Sequence, residues 1–462
     1  MKKNLNVNIF ETTLERGGLF PLTPALSLGE REKRSQPLGK AAAEFCSVIH
    51  KFYQTVQRLS PLPWGEGQGE GKAIATFAAA LLFIFAALDF CRAQTEIQIQ
   101  QEINVLGQTK PIPVALDGFT GEAAEVLKFD LFVQGFSFVT PEEAQYLIHG
   151  TDSASVAGSV TDKLAKKMIL SRSYNGASLR RQAHAFADDI VQTIQNKKGI
   201  GQTKIAFKSQ AAGGNGEIYV ADFDGFGAQS VTSDATIVAK PAWSPGKMAV
   251  YYTSYARGNP DIFYHSLSSG QRRVIAGYSG LNTSASVSPD GSKVAMILSK
   301  SGSPNVWVSD ADGKNLKRLT TGIEDSSPCW SADGKWICFA TKKAERRRLA
   351  KIPAGGGEVQ YLNTSGVSNP TEPDWSPDGK WIAFTRQAGA EFDICVLPAD
   401  GTLAPTVLVA GQNPSWSPNS RTLVFNHGPG GHQTLSVLDV FTKQYKDCRR
   451  ATGSNSQPAW AR

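Results

Sequence analysis

The chain has 462 residues, 41% of them hydrophobic, so it can bury sizeable cores and, at roughly 100–200 residues per domain, has room for two to four domains. Only 19% of residues are charged, the formal balance is +7, and the basic residues fall in short scattered runs, which excludes a dedicated nucleic-acid binder with a basic stripe. Gly 44 and Pro 24 against 4 Met favour many turns over long helices, so a mainly β fold is expected.

Residues 1–72 are rich in Pro, Gly, Glu and Arg and show no sustained helical or strand period. Their strings PLTPALSLGERE and LSPLPWGEGQGEG resemble translated genomic repeats, so this stretch is read as a leader that is either disordered or upstream of the true start. Lys72 is followed by AIATFAAALLFIFAAL, a 16-residue run from Ala73 to Leu88 that is apolar but for Thr76, too short for a comfortable span and right for a signal-peptide core. Small residues at Cys91 and Ala93 place cleavage before Gln94, making 73–93 a signal peptide and the mature protein exported; an uncleaved anchor is the alternative.

Residues 94–201 alternate α and β. PIPVAL reads as a strand, GEAAEVLKFDLFVQG as a helix, FSFVT as a strand, PEEAQYLI as a helix, and ASVAGSV with KKMILSRSY as a hairpin. The clearest element is SLRRQAHAFADDIVQTIQN. Its apolar positions Leu179, Ala183, Phe186, Ala187, Ile190, Val191 and Ile194 recur at three and four, with Ser178 as the N-cap.

From residue 202 onward the chain repeats itself. PAWSPGK, ASVSPDGSKVA, PCWSADGKWICFA, PDWSPDGKWIAFT, PSWSPNSRTLVFN and PAWAR centre on Trp243, Val287, Trp330, Trp375, Trp416 and Trp460, which are separated by 44, 43, 45, 41 and 44 residues. A period near 43 matches one four-stranded propeller blade. Before Trp243 lie TKIAF, EIYVADFDG and QSVT, three strands lacking a first one, and after the fifth full unit comes QPAW, a first strand lacking the others. Joined, they make a sixth blade and close the ring, so the expected fold class is mainly β: a six-bladed β-propeller over 202–462 preceded by a small α/β domain.

The sequence carries no recognisable catalytic constellation. There is no GxSxG elbow, no HExxH and no P-loop, and GEGQGEG lies in the leader without a preceding strand. A metal or lyase site would need ligands meeting at the channel, yet the repeats hold only His265, in a strand, and His427 and His432, in one Gly-rich loop; His184 is read as structural. No cysteine pair has CxxC spacing; Cys329 and Cys338 flank a hairpin turn, and either a disulfide or two buried thiols fits that placement. DADG at Asp310–Gly313 lacks EF-hand spacing and is read as a turn. The repeated tryptophans are expected between blades. The run Glu345, Arg346, Arg347 and Arg348 is a solvated loop or a contact for an acidic partner. No catalytic, cofactor or metal residue is therefore assigned, and a non-catalytic binding protein is expected.

The strings EIQIQQEINVLGQTKPIPVALDGF, LRRQAHAFADDIVQTIQNKKGIGQTKIAF and YVADFDG, together with the SPDG repeats, resemble the TolB family, periplasmic propeller proteins of the Tol-Pal envelope system. The resemblance covers nearly the whole chain after Ala93, making 94–201 the counterpart of that family's N-terminal domain. It implies a periplasmic scaffold supporting envelope integrity and cell division. Its mature N-terminal segment, about Gln94–Val105 with Glu96, Ile97 and Ile99, would engage TolA. Its propeller mouth would receive the peptidoglycan-associated lipoprotein Pal, and by their place just before the first strands the mouth residues are Leu281, Asn282 and Thr283; Asp325, Ser326 and Ser327; and Asn369, Thr371 and Glu372. The chain departs from the family where Leu281 stands in place of a loop histidine and where the α/β segment is short around TPEEAQYLIHGTDSASVAG. The alternatives are a propeller binding a small molecule or glycan, with Tyr278 as the main loop aromatic, and a propeller lyase.

Overall fold

The structure is a computed structural model that describes residues 109–462 except 177, 211–213 and 430. The leader, the signal peptide and the N-terminal segment carrying Glu96, Ile97 and Ile99 lie outside the described residues.

The α/β part is a five-stranded sheet in the order β2-β1-β3-β4-β5. Its strands are β1 (Ile112–Asp117), β2 (Phe136–Phe138), β3 (Tyr146–Thr151), β4 (Val156–Asp162) and β5 (Lys167–Tyr174). Helices α1 (Gly121–Phe132) and α2 (Leu179–Gln195) share one core with the sheet, built on Val114, Leu127, Phe136, Ile148, Phe186 and Ile190. The hydroxyl of Ser178 caps α2 by accepting from the Arg181 N–H, and Asn196 ends the helix in a left-handed conformation. The helix read at PEEAQYLI is not formed: Pro141–Glu143 make a turn and Tyr146–Thr151 a strand. The reason is tertiary. β1 already has β2 on one side, and β3 pairs in parallel along its other edge, burying Ile148, where a helix would leave that edge open.

The rest is a propeller of six four-stranded sheets, in agreement with the repeat count. Five blades are consecutive. Blade one is β9 (Val238–Trp243), β10 (Ala249–Ser254), β11 (Asp261–Ser266) and β12 (Arg272–Ala276). Blade two is β13 (Asn282–Val287), β14 (Lys293–Leu298), β15 (Asn305–Asp310) and β16 (Lys317–Arg318). Blade three is β17 (Asp325–Trp330), β18 (Trp336–Lys343), β19 (Arg346–Pro353) and β20 (Gln360–Tyr361). Blade four is β21 (Pro370–Trp375), β22 (Trp381–Ala388), β23 (Glu391–Pro398) and β24 (Thr406–Ala410). Blade five is β25 (Gln412–Trp416), β26 (Thr422–His427), β27 (Thr434–Asp439) and β28 (Tyr445–Asp447). The sixth combines β29 (Ser454–Trp460) as innermost strand with β6 (Lys204–Gln210), β7 (Gly216–Asp222) and β8 (Gln229–Ser230). β29 runs antiparallel to β6 from Ser454 opposite Gln210 to Trp460 opposite Ile205, and it also touches β9 of blade one, which closes the ring.

Each S-P-D-G turn is held in the same way. In blade two the Ser288 hydroxyl donates to Asp290 Oδ1 (2.5 Å), the Ser292 N–H donates to the same oxygen (3.0 Å), and Gly291 takes φ 71°. Ser331 with Asp333, Ser376 with Asp378 and Ser417 with Asn419 repeat the contact at 2.6 Å. The tryptophans wedge between blades. The indole N–H groups of Trp243, Trp330 and Trp416 each donate to a first-strand carbonyl of the preceding blade, those of Ala459, Ser286 and Asp374 (2.9–3.1 Å).

Every first strand also carries a bulge two to three residues before the repeat position. The register with the second strand shifts across Lys240–Pro241, Ser284–Ala285, Ser327–Pro328, Glu372–Pro373, Asn413–Pro414 and Gln457–Pro458. Proline has no N–H to give to a ladder and is tolerated within a sheet at such a bulge. The first residue of the bulge is left-handed in all six blades, with φ between 49° and 56°; proline follows it in five and Ala285 in blade two. The P-x-W string of the sequence is thus the signature of a bulge that turns one side chain per blade toward the axis.

Candidate functional site

The strands run between two rims. On one, the turn rim, lie the turns joining first to second and third to fourth strands; on the other, the loop rim, lie the second-to-third loops and the connections between blades. The α/β part sits on the turn rim of blades five and six. The Thr109 N–H donates to the Phe441 carbonyl (3.1 Å), Gln444 Nε2 to that of Phe136 (3.2 Å), and buried Arg180 pairs with Asp224. Val133 and Ile200 share a core with Phe223, Val437 and Trp460 of the ring. Beside it, buried His184 Nδ1 lies 2.6 Å from Asp130 Oδ2, and Asp188 accepts the Gly201 N–H (2.7 Å). Apart from the connection between blades five and six, where Arg450 pairs with Glu122 (3.2 Å) and Glu125 (3.0 Å) of α1, the loop rim is left free of the α/β part among the described residues.

Of the nine residues expected at the mouth, two lie ahead of the first strands and the other seven separate into three groups. Only Leu281 and Asn369 precede their first strands, because β13 begins at Asn282, β17 at Asp325 and β21 at Pro370. Asn282 and Asp325 are fully buried and occupied internally, which corrects their placement as contact residues. Asn282 Nδ2 donates to the carbonyls of Pro260 (3.0 Å) and Tyr278 (2.7 Å). Asp325 accepts from Thr341 Oγ1 (2.6 Å) and Thr320 Oγ1. A polar side chain at the first position of a propeller strand is read equally well as a surface group or as a loop lock; burial decides for the lock.

Ser327 and Glu372 form the second group, since they are bulge residues lining the central channel with Lys240, Ser284, Asn413 and Gln457. The channel is narrow, about 150 Å³. It is bridged by Lys240 Nζ, which reaches from blade one to Glu372 Oε1 of blade four at 2.8 Å. Burial alone would raise the Glu372 carboxyl, but Lys240, with Thr385 Oγ1 (2.9 Å) and the Asn413 N–H (3.2 Å), holds it below its ordinary value. Lys240, Ser284, Asn413 and Gln457 were not singled out from sequence, although each stands three residues before its repeat position and the signal was there.

Thr283, Ser326 and Thr371 make the third group, half-buried at the loop rim: Thr283 Oγ1 meets Thr253 Oγ1 of blade one (3.1 Å), and Thr371 pairs with Thr385. Sequence reasoning also missed the exposed apolar residues of this rim. Ile323 is 74% exposed and Ile237 56%, both in connections entering a first strand. Among the described residues no group of three or more His, Cys, Asp or Glu side chains converges as a metal site. The His427 imidazole sits between Ser436 Oγ (2.9 Å) and Asp447 Oδ1 (3.1 Å), and Cys329 and Cys338, directly opposed in register, are free and buried.

Residues 191–462 match the model of the TolB beta propeller domain, PD40. The chain belongs to the TolB β-propeller family. This TolB-family chain is 29% identical over 266 residues to the Tol-Pal system protein TolB of Anaeromyxobacter dehalogenans (strain 2CP-C), across 48% of this chain and 60% of the relative. It is 30% identical over 186 residues to the protein of the same name from Desulfosudis oleivorans (strain DSM 6200 / JCM 39069 / Hxd3), across 38% and 42%. The chain thus spans less than two thirds of the length of the curated relatives it matches. In fold it is similar to the crystal structure of TolB from Acinetobacter baumannii, with a TM-score of 0.70 and 23% identity over 77% of this chain and 98% of that one.

Proposed function

We propose that this chain is a periplasmic, non-catalytic scaffold of the Tol-Pal system that binds a protein partner on its loop rim. The observation that carries the reading is the exposure of Ile323 and Ile237 on the stretch of the loop rim that the α/β part leaves free. Exposed aliphatic side chains rimmed by polar groups are what a protein partner desolvates. The partner the family points to is Pal, received by Ile323, Ile237, Leu281, Thr283, Ser326, Asn369 and Thr371, with Asn282 and Asp325 holding the loops in shape and Glu372 below them in the channel. The N-terminal segment with Glu96, Ile97 and Ile99 is proposed to engage TolA, and through the two contacts the chain supports envelope integrity and division.

The size of the channel speaks against a small molecule, a glycan or a lyase substrate being bound there. Pockets for such ligands run to about 300–1,000 Å³, whereas the channel is half the lower figure and is bridged by an ion pair. Calorimetric titration of the exported chain with the soluble domain of Pal from the same organism tests the proposal. Binding is expected, weakened by about tenfold or more in Ile323→Glu, as for a truncated interface anchor. No heat with the native chain, or equal affinity in the variant, would defeat it.

A further inference from the structure

Blade three leaves a longer end of its third strand uncovered than the other blades do among the described residues. Its central hairpin, β18 (Trp336–Lys343) and β19 (Arg346–Pro353), has two eight-residue strands, while its fourth strand, β20, is only Gln360–Tyr361 and pairs with Ala350 and Lys351 alone. One further bond, from the Leu362 N–H to the Leu349 carbonyl (2.9 Å), ends the cover. Blade four has a hairpin of the same length, but there β24 follows the third strand out to Asp393. The outer edge of β19 along Arg346–Arg348 therefore has no strand beside it among the described residues. Since the Leu349 carbonyl points outward, so do the backbone groups of Arg347, two residues away.

The two faces of this projecting hairpin differ in charge balance. On one, Arg347 Nη2 pairs with Glu324 Oε1 (2.5 Å) and Lys342 Nζ with Glu345 Oε2 (3.1 Å). On the other, Lys343, Arg346 and Arg348 surround Tyr361 in a pocket of about 500 Å³. Lys343 Nζ lies over the Tyr361 ring at 4.0 Å, and all three cations are exposed without a carboxylate in ion-pair range among the described residues. Arg346 and Arg348 stand two apart on one strand, about 7 Å, the spacing of alternate side chains on a second extended chain.

We propose that the open edge of β19, with Arg346, Arg348, Lys343 and Tyr361, binds an acidic peptide segment in extended conformation, laid beside β19 with its alternate carboxylates on the two guanidinium groups. Guanidinium forks recognise carboxylates in two-point fashion, and an uncovered strand edge supplies backbone pairing that a compact anion cannot use. The site lies on the outside of one blade and stands independently of what the mouth binds.

The test is fluorescence anisotropy with a labelled octapeptide alternating Glu and Thr, in 50 mM salt. Binding is expected, weakened at least tenfold by Arg346→Glu with Arg348→Glu, about threefold by the paired change to Lys, and unaffected by Lys166→Glu with Lys167→Glu, a charge-matched control on the α/β hairpin. A block peptide of the same composition should bind at least threefold more weakly. Ile237→Ser should leave the affinity unchanged, which separates this site from the mouth. Equal binding by the Glu variant would overturn the proposal and leave the arginines as guards against edge-to-edge pairing. Equal competition by inorganic phosphate or phosphatidylglycerol vesicles would overturn it in favour of a phosphate site.

Discussion

The glycines after the repeat turns separate two costs that a sequence merges. Gly291 (φ 71°) has its nearest foreign atom at 3.7 Å from a built Cβ, so Gly291→Ala meets only the left-handed backbone penalty of about 1–2 kcal/mol. Gly313 (φ 89°) would place a Cβ 2.4 Å from the Ile275 carbonyl of the neighbouring blade, and backbone must move to admit it. In urea unfolding Gly313→Ala should lose about 2 kcal/mol or more beyond Gly291→Ala; equal losses would mean the blades are less closely seated than described. The channel pair makes a second residue-scale case. Lys240→Met leaves Glu372 half-buried without its counter-charge and should cost about 2–4 kcal/mol, while adding Glu372→Gln should recover most of it. Because the Glu372 carboxyl is held below its ordinary value, its contribution is present above that value and lost as pH falls through the lowered one. Lys240→Met should therefore lessen the acid-side loss of stability, measurable by thermal unfolding between pH 3 and 5 relative to the native chain.

At the scale of the element, the seat of α2 on the ring sets a pH dependence of opposite sign. Burial pushes the Asp188 carboxyl up to about 7, against the Gly201 N–H that would lower it. Burial likewise raises Asp130, and although it would lower His184, the Asp130 carboxylate at 2.6 Å outweighs it and leaves the imidazole above its ordinary value; Arg180 and Asp224 face the same cluster. Between about pH 4 and 7 the folded chain holds a proton on Asp188 that the unfolded chain has released. His184 contributes stability below about 6.5 that is lost as pH rises through its raised value. Both make the unfolding free energy, and with it the melting temperature, fall from pH 4.5 to 8.5, the free energy by at most about 1.4 kcal/mol per pH unit for one proton. Asp188→Asn should flatten the lower part of that limb and His184→Gln the upper; stability rising with pH in the native chain would contradict the arrangement. What was legible in sequence follows the same division. The amphipathic period of α2 and its Ser178 cap were plain because they are local, whereas PEEAQYLI became turn and strand because of a neighbour far along the chain. The channel residues were readable as the third residue before each repeat position, a tryptophan in five blades and Val287 in blade two. The burial of Asn282 and Asp325 was not, since it depends on which carbonyls and hydroxyls the loops bring to them.

For the whole molecule, the ring rests on one long-range pairing, β29 with β6, which joins Ser454–Trp460 to Lys204–Gln210 across the entire propeller. Periodicity exposed it because an incomplete unit stood at each end of the array and the fragments were complementary. The loop rim keeps its shape only while the six first strands are locked around the channel, so the proposed partner site inherits its rigidity from this closure. Native-state hydrogen exchange read at the amides of Ala206, Lys208, Ser456 and Ala459, which face one another across that pairing, tests it directly. The closed ring predicts that these amides exchange together, at the free energy of global unfolding and in step with the cores of blades two to four. Exchange of β29 amides through local fraying, while the other blades stay protected, would contradict a propeller closed by that strand.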